Sequence, residues 1–409
     1  MQSRIQTSVL VVGAGMVGGA LAIGLAKKGY DVTVLDPNFT RAWSAASDYD
    51  LRISAVTADN IELLQSLGVW PEIAKCRANP FFQLAVTDSS ENWLEFGDSE
   101  EGNHPLGYMI ENSVLQYAVF QQLQQYPNIQ LLEAGLQSID FNNRVVKAET
   151  KASPEGGDES HYEVEFEHLL GCDGANSKVR EQSGIGVSGK QYKDACLLVN
   201  VKTEKPVAKR TWEKFSADEI HALLPLDPNH ACLIVYANKE TISNWSSSKD
   251  QLAEHLNSRF ESIGPFSVES YGHFPLQRQS ANRYGIAPVT QNSELKTPFI
   301  ALFGDAAHTI HPLAGQGVNL GFRDVECFLQ QVDKFGFSQQ AQARYEKQRR
   351  LDNEFMAHSL EWVGWGMRSE NKALKRVRAF GLNILGRLPG MQYALSAYAS
   401  RAWKVSTKG

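Results

Sequence analysis

The run Phe303-Gly304-Asp305-Ala306-Ala307-His308-Thr309-Ile310-His311-Pro312-Leu313-Ala314-Gly315-Gln316-Gly317-Val318-Asn319 concentrates residue types that can do chemistry. It begins at the end of an apolar stretch, Pro298 to Phe303, that reads as a strand. Asp305 thereby places a carboxylate at a strand's carboxyl edge, where open α/β sheets bind ligands. Gly315 and Gly317 strip side chains from a loop ahead of a helical pattern, so the backbone can approach a flat ring. The helix start behind them offers unpaired N–H groups and a partial positive charge. A carboxylate for a polyol and a bare, positive loop for a ring that turns anionic suit a reduced flavin. An ordinary glycine-rich turn carries the same letters, so this segment leaves both readings open.

The amino-terminal pattern narrows them. Ser8 to Val12 is a short apolar run leading into Gly13-Ala14-Gly15-Met16-Val17-Gly18, a G-x-G-x-x-G match. Helical spacing follows from Ala20 to Lys27, then a second strand, Asp31 to Leu35, that ends at Asp36. The acid falls about 20 residues past the glycines, the spacing of a ribose-binding carboxylate. Gly13 allows the tight turn, Gly15 the approach of a pyrophosphate, and Gly18 the helix–strand contact. This order of elements predicts a dinucleotide site; it does not separate FAD from NAD. A third segment favours FAD. The strand His168 to Cys172 runs into Asp173-Gly174-Ala175-Asn176-Ser177-Lys178-Val179-Arg180, an Asp-Gly turn with Asn176 or Ser177 as helix N-cap. Arg180 and this turn can also support the pyrophosphate or a partner loop.

These three segments, in this order, resemble the single-component FAD-dependent aromatic hydroxylases of the para-hydroxybenzoate hydroxylase superfamily. The run His311 to Gly321, with Asp50-Leu51-Arg52-Ile53-Ser54-Ala55 and Gly107-Tyr108-Met109-Ile110-Glu111-Asn112, is similar to the ubiquinone-biosynthesis flavin hydroxylases. Met16 to Ala22 and Thr211-Trp212 look most like the demethoxyubiquinol hydroxylase branch. The resemblance implies FAD, with Gly13, Gly15, Gly18 and Asp36 on the adenosine and pyrophosphate. It implies Arg52, placed just before a helix, near the flavin, and Asn112 and Gln116 near the phosphates or ribityl, where the family often has Arg or Gln. It places Asp173 in the Asp-Gly motif, Asp305 on the ribityl chain, and Pro312, Gly315, Gln316, Gly317 and Asn319 in the loop under the isoalloxazine. The implied reaction is ring hydroxylation of a polyprenylated phenol or quinol through a flavin C4a-hydroperoxide, with O₂ as co-substrate. NAD(P)H acts as a transient reductant, since no second G-x-G-x-x-G is visible. Two alternatives stay open: hydroxylation of another ring position or of a soluble phenol, and a non-catalytic FAD-stabilised subunit of a quinone-biosynthesis protein complex.

The chain's 409 residues suffice for two domains, and its 43% hydrophobic and 21% charged content is that of a globular protein. No apolar run approaches the roughly 20 residues of a spanning helix, and the polar start predicts no signal peptide. Five scattered cysteines without C-x-x-C spacing predict reduced cytosolic thiols and no structural zinc. A cytoplasmic location follows, with peripheral contact at the membrane's inner face as an addition. From Arg368 to Gly409 nine Lys or Arg stand against Glu370 alone. Leu374, Val377, Gly381, Ile384, Leu385 and Leu388 share one helical face there, which suits either an anionic membrane surface or packing on the flavin domain. The acidic remainder argues against nucleic acid.

The expected fold is α/β. A Rossmann-like FAD-binding domain is built from residues 1–80, 111–187 and 291–345, with substrate-domain strands at 81–110. An inserted, mainly antiparallel β-sheet substrate domain spans 188–290, and a C-terminal helical region with the basic amphipathic helix spans 346–409. Asn112 or Ser113 is expected to cap a helix that reaches Tyr126. The inserted sheet should roof the flavin, with Trp212, Phe215, Leu224 and Tyr236 as wall candidates, most of them plain core. His308 and His311 read as loop-fixing hydrogen-bonders rather than proton shuttles.

Overall fold

Val9 to Val12 are buried because the strand they end, Gln2–Val12, lies inside a sheet. The computed structural model describes residues 2–88, 93–97, 105–150, 160–246, 248–287, 299–311, 315–371 and 373–374. Strand order in the first sheet is Gly285–Ile286, Phe299–Leu302, His161–Gly171, Gln2–Val12, Val32–Asp36, Ile129–Glu133. Along this order the neighbours pair in parallel except at the short Gly285–Ile286 edge, and two further strands, Val145–Glu149 on His161–Gly171 and Gly135–Asp140 beyond it, add antiparallel pairs. The parallel pairs need crossovers, and the helix Met16–Ala26 supplies the first. It is buried from Gly18 to Ala26, between the helices Asn112–Leu123 and Gly317–Phe335. The first strand is longer than its apolar run. Its polar half, Gln2 to Thr7, pairs with His161 to Phe166 of an equally long partner.

The second sheet is ordered His308–Thr309, Phe266–Ala281, Val187–Thr203, His230–Asn238, Ile220–Asp227, Arg210–Phe215, Gln83–Thr87, Leu94–Gly97. It is antiparallel apart from one parallel pair, Arg210–Phe215 with Gln83–Thr87. Both faces of its central strands are buried. Leu197, Val199, Trp212 and Leu233 pack under the helices Lys239–Trp245 and Lys249–Asn257. Cys196, Leu198, Phe215, Leu224 and Tyr236 form the opposite face. A three-stranded sheet, Ile53–Thr57, Gly107–Glu111 and Ala78–Phe81, lies against that face and joins the two larger sheets. Among the described residues of the stretch 81–110, Gln83–Thr87 and Leu94–Gly97 pair within the roof. The chain ends its described course in the helix Gln339–Arg368, capped by Ser338, whose hydroxyl accepts from the Ala341 N–H at 3.2 Å. Most of the basic stretch expected to be an amphipathic helix, 375–409, lies outside the described residues.

Two half-buried histidines give the fold a pH dependence. His168 stacks on Phe337 with ring centroids 3.9 Å apart, and burial pushes its pKa down from 6.5 to about 4. His311 lies between Tyr192 and Tyr236 and is pushed by burial from 6.5 to about 4 as well. Both bind fewer protons folded than unfolded, so their contribution is complete above pH 6.5 and is lost as pH falls from 6.5 towards 4. The expected loss is roughly 2 kcal/mol per histidine by pH 5. Urea midpoints at pH 7 and pH 5 measure it, and His168→Phe should reduce the difference.

Candidate active site

The first glycine turn is built by steric exclusion. Gly13 has φ +101°, and a Cβ there would sit 2.3 Å from the Cys172 carbonyl oxygen. A Cβ on Gly18 would sit 1.9 Å from the Gly13 oxygen, so the helix can start only against a bare position. Gly15 differs: nothing lies within 4 Å of its Cβ position. It caps the helix Met16–Ala26, which has no side-chain cap and no acid in its first turn. Open space beside unpaired N–H groups is an anion site. Asp36 ends the neighbouring strand, half-buried, and accepts from the Ala14 N–H at 2.6 Å and the Asn38 N–H at 2.8 Å. It therefore braces the glycine turn.

The Asp-Gly segment packs beside this turn, with the Asp173 nitrogen 2.9 Å from the excluded Gly13 Cβ position. Asp173 accepts from the Ser177 hydroxyl and from the Val179 N–H at 3.1 Å. Ser177 is the N-cap of Lys178–Gln182, accepting from the Arg180 N–H at 3.0 Å. The buried Arg180 guanidinium donates to the carbonyls of Ala306 at 2.9 Å and Ala175 at 2.8 Å. Asp173 thus positions a helix, and Arg180 ties this turn to the segment that carries Asp305.

Asp305 stands in a short 3-10 turn, Gly304–Ala306, and lines a cavity of about 380 Å³. Burial raises its carboxyl pKa, opposed by the positive charges of His308 and Arg52. The carboxylate is exposed to solvent at the cavity surface although protein surrounds it, so that contact with water limits the rise. Arg52 is also exposed into the cavity and lies over the Phe274 ring at 5.5 Å. It precedes the strand Ile53–Thr57, not a helix. Its placement comes from Asp50, whose carboxylate accepts from the Arg52 N–H at 3.0 Å and the Ser113 N–H at 3.1 Å. The Asn200 amide, from the roof sheet, donates to the carbonyls of Tyr49 and Asp50. Asp50 is consequently the side chain that meets the first turn of the helix Asn112–Leu123. Its N-cap is Glu111, without a side-chain cap, and neither Asn112 nor Ser113 fills that role. Asn112 lines the cavity and accepts from the Ser54 hydroxyl at 2.6 Å. Gln116, one turn on, accepts from the Thr40 hydroxyl at 3.0 Å and is away from the cavity lining.

The second glycine loop lies on the cavity's edge. Gly315 has φ +59°, and its Cβ position is 3.6 Å from Ala55; Gly317 has nothing within 4 Å. Gln316 is the N-cap of Gly317–Phe335, again without a side-chain cap or a first-turn acid. Gly315, Gln316, Gly317 and Val318 all line the cavity. Pro312 lies outside the described residues. The Asn319 side chain is fully buried and occupied: it accepts from Thr57 and Asn60 and donates to the Ala55 carbonyl at 2.8 Å. It staples the helix start to the strand Ile53–Thr57, so only its backbone can face a ring in the cavity.

His308 holds structure, and His311 packs between the rings of Tyr192 and Tyr236. Buried His308 Nε2 lies 2.5 Å from Asp324, which also accepts from the Gly304 N–H at 3.1 Å and from Arg349 Nε at 2.8 Å. Burial opposes charge on Asp324, but His308 and Arg349 hold its pKa below the ordinary carboxylate range. Sequence spacing gives no sign of this cluster, because its partners come from three separated segments.

The roof contributes Cys196, Leu198, Thr211, Glu213, Leu224 and Tyr236 to the lining. Alternation along Arg210–Phe215 decides which side chains reach it. Thr211, Glu213 and Phe215 share the cavity side, whereas Trp212 packs in the core beneath the covering helices. Of the four sequence-based wall candidates, Leu224 and Tyr236 line the cavity; Phe215 packs behind it and Trp212 faces away. FAD fits these residues. Two uncapped helix starts open beside bare Gly15 and Gly317, and a carboxylate lies in the cavity between the flavin and roof sheets.

Residues 6–331 match the family model described as FAD binding domain. The chain is 36% identical to the 3-demethoxyubiquinol 3-hydroxylase of Escherichia coli, over 96% of this chain and 98% of that protein. It is 30% identical to the ubiquinone hydroxylase UbiL of Rhodospirillum rubrum, over 85% and 79%. The crystal structure of p-nitrophenol 4-monooxygenase PnpA from Pseudomonas putida superposes with a TM-score of 0.74 at 19% identity, over 97% and 98%, a likeness of fold. Glycine turn, cavity carboxylate and inserted roof thus occur together in a chain that belongs to the FAD-binding monooxygenase family, the family of these ubiquinone-pathway hydroxylases.

Proposed function

We propose that this protein hydroxylates the aromatic ring of a polyprenylated quinol or phenol in ubiquinone biosynthesis, at the demethoxyubiquinol step. The observation that carries this reading is the cavity itself. One end is the Asp305 and Gly315–Val318 surface; the other is an apolar roof of Leu84, Leu198, Leu224, Ile234 and Tyr236. The identity to the Escherichia coli hydroxylase along nearly all of both chains supports the choice of step.

Bound FAD supplies the reduced ring that activates dioxygen, with NAD(P)H as the electron source. The protein's part is position and electrostatics. Asp305 accepts hydrogen bonds from the ribityl hydroxyls, and Gly15 lets the pyrophosphate reach the first helix start. The N–H groups at Gly317 and Val318 stabilise negative charge on the flavin edge. The apolar roof excludes water from the reacting ring. The His308–Asp324 pair holds the Gly304–Ala306 turn, and with it Asp305, in place.

Purified protein supplied with FAD, NAD(P)H and a short-chain demethoxyquinol should release hydroxylated product; hydrogen peroxide as the sole oxygen product counts against the reading. Leu224→Trp fills the roof without touching the cofactor residues. It should lower turnover by roughly tenfold or more while FAD content is unchanged. Equal turnover would remove the cavity as the substrate site.

A membrane contact belongs to the same proposal. No helix among the described residues is long and apolar enough to cross a membrane. The helix Gln339–Arg368 packs Leu360 and Met367 against the cavity cluster. Its opposite face exposes Leu351, Phe355, Trp362 and Trp365 by 62%, 64%, 76% and 67%. The basic sequence that follows adds attraction to anionic lipid, and interfacial tryptophans anchor such contacts. Vesicles with anionic lipid should retain the protein in a sedimentation assay, and the double variant Trp362→Ser, Trp365→Ser should lose most of that binding. Undiminished binding would assign the contact elsewhere.

A further inference from the structure

Electrons enter the cavity from a soluble donor, so part of its wall has to open to solvent. The strand Phe266–Ala281 supplies such a part, since Phe274, Pro275, Leu276 and Gln277 line the cavity in succession. Phe274 and Leu276 pack with the apolar roof. His273 and Pro275 are exposed, and Gln277 is half-buried. Alternation therefore puts the Gln277 side chain on the solvent side of the strand, at the rim of the cavity rather than among its apolar walls. The neighbouring strand, Val187–Thr203, is bulged at this point. Gln191 pairs with Gln277 and Ala195 with Pro275, so the stretch Tyr192 to Asp194 stands against Leu276 alone. Bulges re-aim side chains beside active sites. This one presents Gln191 and Lys193, both exposed.

Other polar side chains of the lining are held by the protein: Ser54 donates to Asn112, and Thr211 to the Leu223 carbonyl. The Gln277 amide differs, because no hydrogen bond to a described residue engages it. It offers donors and an acceptor side by side, and its complement is another primary amide. Lys193 adds a cation for an anionic group. We propose that the rim formed by Gln277, Gln191 and Lys193 is the docking site of a reduced nicotinamide dinucleotide, with the Gln277 amide paired to the nicotinamide carboxamide and Lys193 beside the pyrophosphate. The proposal rests on the reading of NAD(P)H as electron source. Hydride transfer needs the two rings in contact, and Gln277 shares the lining with Asp305 and Gly315–Val318, the surface assigned to the flavin. In the step the C4–H bond of the dihydronicotinamide breaks. Its hydrogen moves as hydride, with both electrons, to the flavin ring, where an N–H bond forms. The nicotinamide leaves as an aromatic pyridinium, oxidised by the two electrons that the flavin gains. A site of two amides and one lysine on an open rim binds weakly and releases its product fast, which suits a reductant that stays for one transfer.

The test uses FAD-loaded protein and two readouts. The first is binding of the oxidised nucleotide and of its acetylpyridine analogue, neither of which reduces flavin, by calorimetry. The second is bleaching of the flavin by NADH and by NADPH in turn, without oxygen. Wild type should bind the carboxamide nucleotide roughly three- to tenfold more tightly than the acetyl analogue. Gln277→Leu should remove that preference and slow flavin reduction at low NAD(P)H by roughly tenfold. Lys193→Gln, an exposed change that leaves the fold intact, should weaken binding about threefold and lessen its dependence on salt. A wild-type preference in Gln277→Leu, or a wild-type salt dependence in Lys193→Gln, overturns the proposal. So does a hydroxylation defect in Gln277→Leu that persists when dithionite replaces NAD(P)H, since the amide would then serve the aromatic substrate. Should neither nucleotide reduce the wild-type flavin, the electron-source reading itself fails. Should wild type be reduced while both variants match it, only the docking site fails.

Discussion

Gly18→Ala is expected to abolish FAD binding and to lower thermal stability. The new Cβ would lie 1.9 Å from the Gly13 oxygen and 2.8 Å from Cys172 Cβ. The nearer atom is backbone, so no side-chain rotation relieves the clash; the turn itself must move. Gly13 is confined as well, since even a Cβ added there would lie 2.3 Å from the Cys172 carbonyl oxygen. Overpacking of this kind costs about 1–3 kcal/mol, and displacing the uncapped helix start removes the anion site as well. Gly15→Ala is the informative contrast. Its Cβ enters open space, so the protein should fold normally while a pyrophosphate is kept at a distance. FAD titration of refolded apoprotein, paired with thermal denaturation, separates the two. Gly18→Ala should lose both affinity and stability, and Gly15→Ala affinity alone. Normal FAD affinity in Gly18→Ala would mean that the cofactor does not use this turn.

Arg349→Met should be the most destabilising change outside the cofactor contacts. Asp324 is fully buried, and its charge is matched by His308 and Arg349. Removing the guanidinium leaves a carboxylate partly uncompensated, which costs about 3–5 kcal/mol. Arg349 also donates to Asn353 at 2.7 Å, so the helix Gln339–Arg368 loosens with it. The consequence reaches the site, because Asp324 accepts from the Gly304 N–H next to Asp305. Denaturant unfolding should show the loss, and FAD affinity should fall with it. The double variant Arg349→Met, Asp324→Asn should recover part of the stability by removing both charges. A change below about 1 kcal/mol in Arg349→Met would show that His308 alone balances Asp324.

What could be read from the chain is what local geometry controls. Each glycine segment is a strand, a turn and a helix in succession, so spacing alone locates Gly13, Gly15, Gly18, Asp36, Asp305 and Gly317. Long-range pairings leave no such trace. Asp50 meets the helix start at Ser113 across 63 residues, and Asn319 staples Thr57 across 262. In one dimension Asp50 looks like an ordinary loop residue, and Asn319 reads as part of a cofactor loop rather than as a staple. The roof was half legible for another reason. Hydrophobicity marks its strands, but the phase of a period-2 strand is fixed only by what packs on each face. Trp212 has the size of a pocket wall and lies on the wrong side, while Thr211 and Glu213 reach the cavity. The polar half of Gln2–Val12 escaped an apolar-run reading because it gains its place by pairing with His161–Gly171.

The most direct measurement follows isotopically labelled dioxygen. FAD-loaded protein is given NAD(P)H, labelled gas and a short-chain demethoxyquinol, and the product is weighed by mass spectrometry. One labelled oxygen atom on the ring, formed in step with NAD(P)H consumed, is the predicted result. NAD(P)H consumption with label only in hydrogen peroxide, and an unchanged quinol, would contradict the assignment of this cavity to ring hydroxylation.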